Sequence, residues 1–381
     1  AQYLGRRDKT GADRSARQVL LCCCAAGVLV LAVCLPLRRA LLRLIFGSVE
    51  QSVMESAETY FFITILSYPF TALFGACAAI CRASGNSRRP MAVSVSCNLL
   101  NIAGNAVLMF VLHWGVAGAA ISTTVSTMLS GVILLILQRR PNQAIEVGPI
   151  TAIRPDWRTI SQVLRVGIPT GVENAMFQFG KLIVQTFMAS FGTVAIAANA
   201  ICNNVGSFAN VPGNALGLAS VTVVGRCIGA GERKQAVHYA RVILREAVIS
   251  MGALSAVIFV FSPQIVSLFN LSPEATRLAS GVIRTCMVAN ALVWPLSFTL
   301  PNSLRAAGDA KFTMIVSNIS MWLFRVLFCY LIASWILRHY PENTSLALYG
   351  VWFAMYIDWI FRATCFVLRF RGGRWLEKKV I

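Results

Sequence analysis

Ser67-Tyr-Pro-Phe-Thr71, followed by Ile80-Cys-Arg-Ala-Ser-Gly85-Asn-Ser-Arg-Arg-Pro-Met91, returns later in the chain as Val293-Trp-Pro-Leu-Ser297 and Ser303-Leu-Arg-Ala-Ala-Gly308-Asp-Ala-Lys-Phe-Thr-Met314. In each copy a proline inside an apolar stretch precedes an Arg-x-x-Gly turn, and a second apolar stretch follows. A second echo has nearly the same offset, about 224 residues: Leu4-Gly5, Ala12 and Ala16-Arg17 match Ile228-Gly229, Ala236 and Ala240-Arg241. Two related, strongly apolar halves read as a membrane transporter built by duplication, with its pathway between the halves.

Composition agrees. Mean hydropathy is +0.67, 57% of residues are hydrophobic and 13% are charged, against about 25% charged in a soluble domain. Apolar windows of the length that crosses a bilayer recur at 18–37, 60–81, 90–112, 117–137, 163–189, 195–224, 240–262, 279–304, 312–336 and 347–368, ten expected spans. The first lies behind a basic loop and lacks a small-residue cleavage site, unlike a signal peptide.

The net charge of +19 raises the question of nucleic acid, but its distribution argues for a membrane. Alternate loops hold 25 Lys and Arg, and the intervening loops hold 5. That asymmetry is the positive-inside pattern and places both chain ends in the cytoplasm, with no nucleic-acid partner. The twelve cysteines sit in or beside apolar spans, with no CxxC pair and no neighbouring His for a zinc set. Their simplest use is packing between helices. No Gly-x-x-x-x-Gly-Lys-Ser/Thr loop is present to hold ATP, and no HExxH to hold zinc. The expected protein is a non-enzyme without metal or cofactor, driven by an ion gradient.

The repeat also exposes an asymmetry. In the second half, two spans precede the basic loop at 226–245, whereas the equivalent loop in the first half is residues 1–17. The counterpart of Ser161 would fall roughly 60 residues before Ala1. The expectation is therefore a chain lacking its first two helices, from a complete six-plus-six protein.

Five stretches in order carry a family resemblance: Arg82–Met91, Asn98-Leu-Leu-Asn101-Ile, Gly115-Val-Ala-Gly-Ala-Ala-Ile-Ser-Thr123, Gly167-Ile-Pro-Thr-Gly171 and Val224-Gly-Arg-Cys-Ile-Gly-Ala-Gly231. Along essentially its whole length the chain resembles the multidrug and toxic compound extrusion (MATE) transporters. The resemblance implies an all-α polytopic membrane protein of two pseudo-symmetric six-helix bundles arranged as a V, acting as a monomer. It also implies export of cationic or amphipathic small molecules, organic cations above all, across the cytoplasmic membrane in exchange for Na+ or H+. On this reading residues 1–138 are the partial N-terminal lobe, 139–160 a cytoplasmic linker and 161–381 the C-terminal lobe with a basic tail. Two alternatives remain: a flippase for lipid-linked oligosaccharide or peptidoglycan precursors, using Lys181, Arg284 and Arg325 on a pyrophosphate, and a non-transporting membrane protein.

Polar residues inside the spans point to a pathway. Asn199, Asn203, Ser207, Asn210 and Asn214 share one helical face, as do Asn174, Gln178, Lys181 and Gln185, and Asn98, Asn101 and Asn105. Amides facing lipid are costly, so these stripes face protein or water, either lining a cavity or joining helices. Ionisable residues within a membrane are functional candidates. Asp358 and Arg362, one turn apart, read as a structural salt bridge. Glu173 follows Pro169, where a helix break would free carbonyls. It reads either as the coupling carboxylate, with Asn174, Asn199 and Asn203 as further ion-binding candidates, or as the buried partner of Lys181. Pro69, Pro169, Pro212, Pro295 and Pro301 are candidate hinges or, equally, static kinks.

Overall fold

The computed structural model describes residues 1–47, 50–140, 143–148, 154–340 and 344–378. They are almost entirely helical. The chain divides into two compact units, Arg7–Val163 and a second that joins Ala1–Arg6 to Leu164–Ile381. Among the described residues, seven helices are long and apolar enough to cross a membrane, or nine when each of two bent pairs counts as one span. That is close to the ten expected spans. The shortfall fits α7 (below), where Glu173, Asn174, Gln178, Lys181 and Gln185 dilute the hydropathy of a helix long enough to span.

The short α1 (Gln2–Gly5) belongs with the second unit. The first unit contains α2 (Lys9–Phe46), α3 (Gln51–Ile65), α4 (Tyr68–Ala83), α5 (Arg88–Asn105), a π-helical turn (Ala106–Val111) and α6 (Gly115–Gln138). Asp8 caps α2 by accepting from the Gly11 N–H at 2.8 Å, which satisfies one of the first-turn donors. Polar groups join the helices: Thr124 donates to the Ile63 carbonyl at 3.0 Å. Part of the expected linker, 143–148, packs on this unit, with Ile145 and Val147 buried and Gln138 donating to the Ile145 carbonyl at 3.0 Å. Linker residues 141–142 and 149–153 lie outside the described ones, and residues 157–160 already belong to α7.

α7 (Trp157–Met188) crosses the boundary between the units. There follow α8 (Thr193–Ala209), α9 (Val211–Gly229), α10 (Arg233–Val260), α11 (Ser262–Ser267), α12 (Pro273–Leu292), a π-helical turn (Pro295–Thr299), α13 (Leu300–Ala306) and α14 (Ala310–Ser320). A second π-helical stretch (Met321–Phe328), α15 (Cys329–His339) and α16 (Thr344–Arg371) complete the unit. Its core is built from Met251, Ile283, Met287, Trp294, Val351 and Trp352, among others.

The duplication is visible in the backbone. α3 and α4 meet at 46° beside Pro69, and α12 and the Pro295–Ala306 helix meet at 56° beside Pro295. Proline's missing N–H is harmless at the first turn of the second segment in each pair. Pro212 likewise opens α9, and Pro301 lies in the first turn of α13. Pro169 differs: α7 continues through it, so the expected break is absent. Thr170 donates to the Val166 carbonyl and Asn174 to the Thr170 carbonyl, both at 2.9 Å, adding side-chain bonds along this turn.

The Arg-x-x-Gly turns also match. Gly85 and Gly308 adopt φ of 88° and 100°. The following N–H groups of Asn86 and Asp309 reach back to the carbonyls of Cys81 at 2.9 Å and Leu304 at 3.0 Å. This is the left-handed helix terminator that glycine serves best. A Cβ there costs about 1–2 kcal/mol, so Gly308→Ala should lower the midpoint of thermal unfolding by a few degrees. Gly75→Ala, at a helical site with nothing near the added methyl, should leave it unchanged or raise it. The second echo is a crossing. A Cβ on Gly5 would overlap the Arg226 carbonyl and one on Gly229 the Gln2 carbonyl, so equivalent glycines let α1 and α9 touch backbone to backbone.

Candidate functional site

The second unit encloses a cavity of about 730 Å³. Its apolar wall is rich in rings and thioethers: Phe177, Phe298, Trp294, Trp352, Trp359, Met321 and Met355. Of the polar residues expected on a pathway, Glu173, Asn174, Lys181, Asn203, Ser207, Asn210 and Asn214 line it. Asn199 is buried away from it, and Gln178 and Gln185 are exposed outside it. In the first unit, Asn101 joins α5 to α6 through Ser122 and Thr123, at 3.4 and 3.3 Å, while Asn98 is exposed. Arg284 donates to Ser262 at 3.0 Å and lies over Phe259, also away from the cavity.

At one side of the cavity sits a buried ionic network. Glu173, 5% exposed, accepts on Oε1 from Arg305 and from Ser317, both at 2.6 Å, and Arg362 approaches the same oxygen at 3.7 Å. Arg305 also donates to Asn302 at 3.0 Å and to Thr313 at 3.3 Å. α7, α13, α14 and α16 are therefore tied together through one carboxylate.

Asp358 is fully buried. It accepts from Ser320 on the facing α14 and lies 3.7 Å from Arg325, which the π-helical stretch carries. The expected Asp358–Arg362 salt bridge is thus replaced by two others, Asp358–Arg325 and Glu173–Arg362. The reason is local. Arg362 lies over the Phe298 ring, 4.4 Å from its centroid, which directs its guanidinium toward Glu173, and Ser320 and Arg325 meet the Asp358 oxygens from neighbouring segments. The alternative Glu173–Lys181 pair does not form either. Eight residues of helix separate the two by about 12 Å, and Arg305 and Ser317 meet the carboxylate first.

Sequence reasoning missed Asn302, Arg305 and Ser317 as site residues. Arg305 enters the sequence reading only as the first residue of the repeated Arg-x-x-Gly turn. Its place on the face of Phe298, Pro301 and Asn302 (spacings of 3, 1 and 3 residues) is the signal that points it at the cavity.

An all-helical, apolar unit with a ring-lined cavity beside a buried carboxylate–guanidinium network has the construction of a membrane transporter. The MatE family model matches residues 1–107 and 169–331, and the chain belongs to the MatE family. It is 26% identical over 88% of its length to "Probable multidrug resistance protein NorM" of Thermotoga maritima, and covers 71% of that protein. It is 28% identical to "Uncharacterized transporter YisQ" of Bacillus subtilis, over 79% of this chain and 65% of that one. "Multidrug export protein MepA" of Staphylococcus aureus is 24% identical over 77% of this chain, which covers 64% of it. The chain therefore spans about two thirds of the length of these relatives. Among solved structures, a MATE protein in complex with MaL6 superposes with a TM-score of 0.86 at 22% identity, over 98% of this chain and 81% of that one. A MOP superfamily transporter from Pyrococcus furiosus, described as having a binding pocket of reverse polarity that suggests a different function, gives 0.86 at 22% over 99% and 82%. These likenesses are likenesses of fold.

Proposed function

We propose that this chain carries the pathway of a secondary active exporter of amphipathic small molecules, driven by exchange for Na+ or H+, with Glu173 the coupling carboxylate. The observation behind this reading is the single carboxylate that holds α13, α14 and α16 to α7 at the edge of a large ring-lined cavity. Neutralising it, by a proton or a sodium ion, weakens its hold on Arg305 and Arg362, and so frees three helices to move against the fourth. That is the physical requirement for coupling, because an ion drives export only by shifting the equilibrium between states that bind the substrate differently. Asn174 and Asn203 line the same cavity and offer carbonyl oxygens for a sodium ion.

The basic loops are assigned to the cytoplasm, both chain ends with them, and the membrane to the cytoplasmic membrane. A single protomer suffices, since the cavity is formed by one unit. The test is a reconstituted vesicle loaded with an amphipathic dye, to which a sodium or proton gradient is applied. Dye should move against its own concentration gradient under one of the two ions and stop when that gradient is collapsed. Movement that depends on ATP alone would overturn the proposal.

A further inference from the structure

We infer that the cavity of the second unit selects amphipathic anions, molecules with a carboxylate, sulfonate or phosphate head on an apolar body, rather than the organic cations expected from the family resemblance. The inference names the ligand class of the exporter proposed above and rests on that reading for the direction of movement, though not for binding.

The first ground is charge. Lys181, Arg305, Arg325 and Arg362 line the cavity against one acid, Glu173. Including Asp358 behind the wall, the described groups still leave a net charge of +2 around the cavity. That excess attracts a ligand of one or two negative charges and disfavours a cation.

The second ground is which groups are free. An organic cation needs a carboxylate or an open ring face. Both carboxylates already face guanidinium groups, Glu173 those of Arg305 and Arg362 and Asp358 that of Arg325, and their oxygens without a hydrogen bond, Glu173 Oε2 and Asp358 Oδ2, are buried. The faces of Phe177 and Phe298 are taken by protein cations: Arg325 lies 5.1 Å from the Phe177 centroid and Arg362 lies 4.4 Å from that of Phe298. The cation left open to the cavity is Lys181. Arg362 is 3% exposed, and its Nε and Nη1 have no hydrogen-bond partner. Those two N–H groups are buried, so Arg362 contributes its charge to the wall and not an open hydrogen-bonding edge. Lys181, on the cavity wall, makes no ion pair or hydrogen bond among the described residues. One unpaired ammonium in a net positive lining, beside Trp and Phe walls, makes a site for a negative head and a hydrophobic body.

The test uses two probes with one body, 1-pyrenesulfonate and 1-pyrenemethylammonium. Their binding to the purified protein in lipid nanodiscs is followed by energy transfer from the tryptophans, three of which (Trp294, Trp352 and Trp359) line the cavity. The sulfonate should bind at least tenfold more tightly than the ammonium. Lys181→Gln, which breaks no described contact, should weaken the sulfonate at least fivefold and leave the ammonium unchanged. Lys181→Glu should reverse the preference. Tighter binding of the ammonium to the parent protein, or an unchanged sulfonate affinity in Lys181→Gln, would overturn the inference. Competition then separates the sources of the anion: displacement of the sulfonate by a short polyprenyl phosphate, and not by soluble aryl carboxylates, marks a lipid ligand, and the converse a soluble one. Both displacements support an anion site. If the sulfonate binds as stated but neither probe moves across vesicles under any ion gradient, it is the exporter reading that fails.

Discussion

Glu173→Gln is expected to abolish gradient-driven efflux, by at least an order of magnitude, while the protein still inserts and folds. The amide keeps an oxygen for Arg305 and Ser317, so the hydrogen bonds at 2.6 Å have a neutral substitute. What it lacks is the ability to exchange a charge, and with it the switch that ties α7 to α13, α14 and α16. The stability cost should be real but bounded. Arg305 and Arg362 lose their countercharge, though Arg305 retains Asn302 and Thr313. A lower unfolding midpoint, ligand binding retained at the weaker affinity of the neutralised site, and lost efflux are the expected combination. Parental efflux with parental ion dependence would place the coupling group elsewhere in the protein.

The second large effect concerns Asp358. Removing one member of a buried ion pair leaves the other uncompensated, at a cost of about 3–5 kcal/mol. Asp358→Asn and Arg325→Gln should each lower the folded yield and the unfolding midpoint sharply. The double variant should recover a substantial part, since groups in contact show interaction energies of roughly 0.5–3 kcal/mol. Asp358→Asn combined with Arg362→Gln should recover much less, because Arg362 serves Glu173. The reverse ranking would restore the one-turn bridge along α16 that the spacing of the two residues suggests.

That pair shows where the sequence stops being legible. The Arg-x-x-Gly turns, the proline bends and most of the spans follow from local chemistry, namely a left-handed residue, a missing N–H and a run of apolar side chains, and all of these are written in the chain itself. Partner choice within the network is not local. Glu173 meets Arg305 and Ser317, 132 and 144 residues away, and no periodicity announces such a meeting.

The amide stripes were partly informative for the same reason. On α7 the cavity arc runs through Thr170, Glu173, Asn174, Phe177 and Lys181. At about 100° per residue Gln178 and Gln185 fall just beyond its edge. Polarity marked one margin of the arc, while its centre is held by Phe177, which sequence alone assigns to packing. Pro169 was misread because a proline removes one hydrogen bond without necessarily ending a helix, and neighbouring hydroxyl and amide side chains add others. The π-helical stretch at Met321–Phe328, which carries Arg325, shifts the side-chain register in a way that a count of 3.6 residues per turn does not anticipate.

Ligand and coupling ion communicate through Glu173 in the proposed mechanism, and linkage measures that coupling directly. Binding of the tighter of the two pyrene probes should be followed against pH and against sodium, in the parent protein and in Glu173→Gln. For an anion, charge alone would tighten binding as Glu173 is neutralised. Exchange requires the opposite, that neutralising Glu173 loosens the helices forming the site. One of the two ions should therefore weaken probe binding in the parent protein, and neither should do so in Glu173→Gln. Binding that tightens with the ion, or an ion dependence that persists unchanged in Glu173→Gln, would contradict the mechanism.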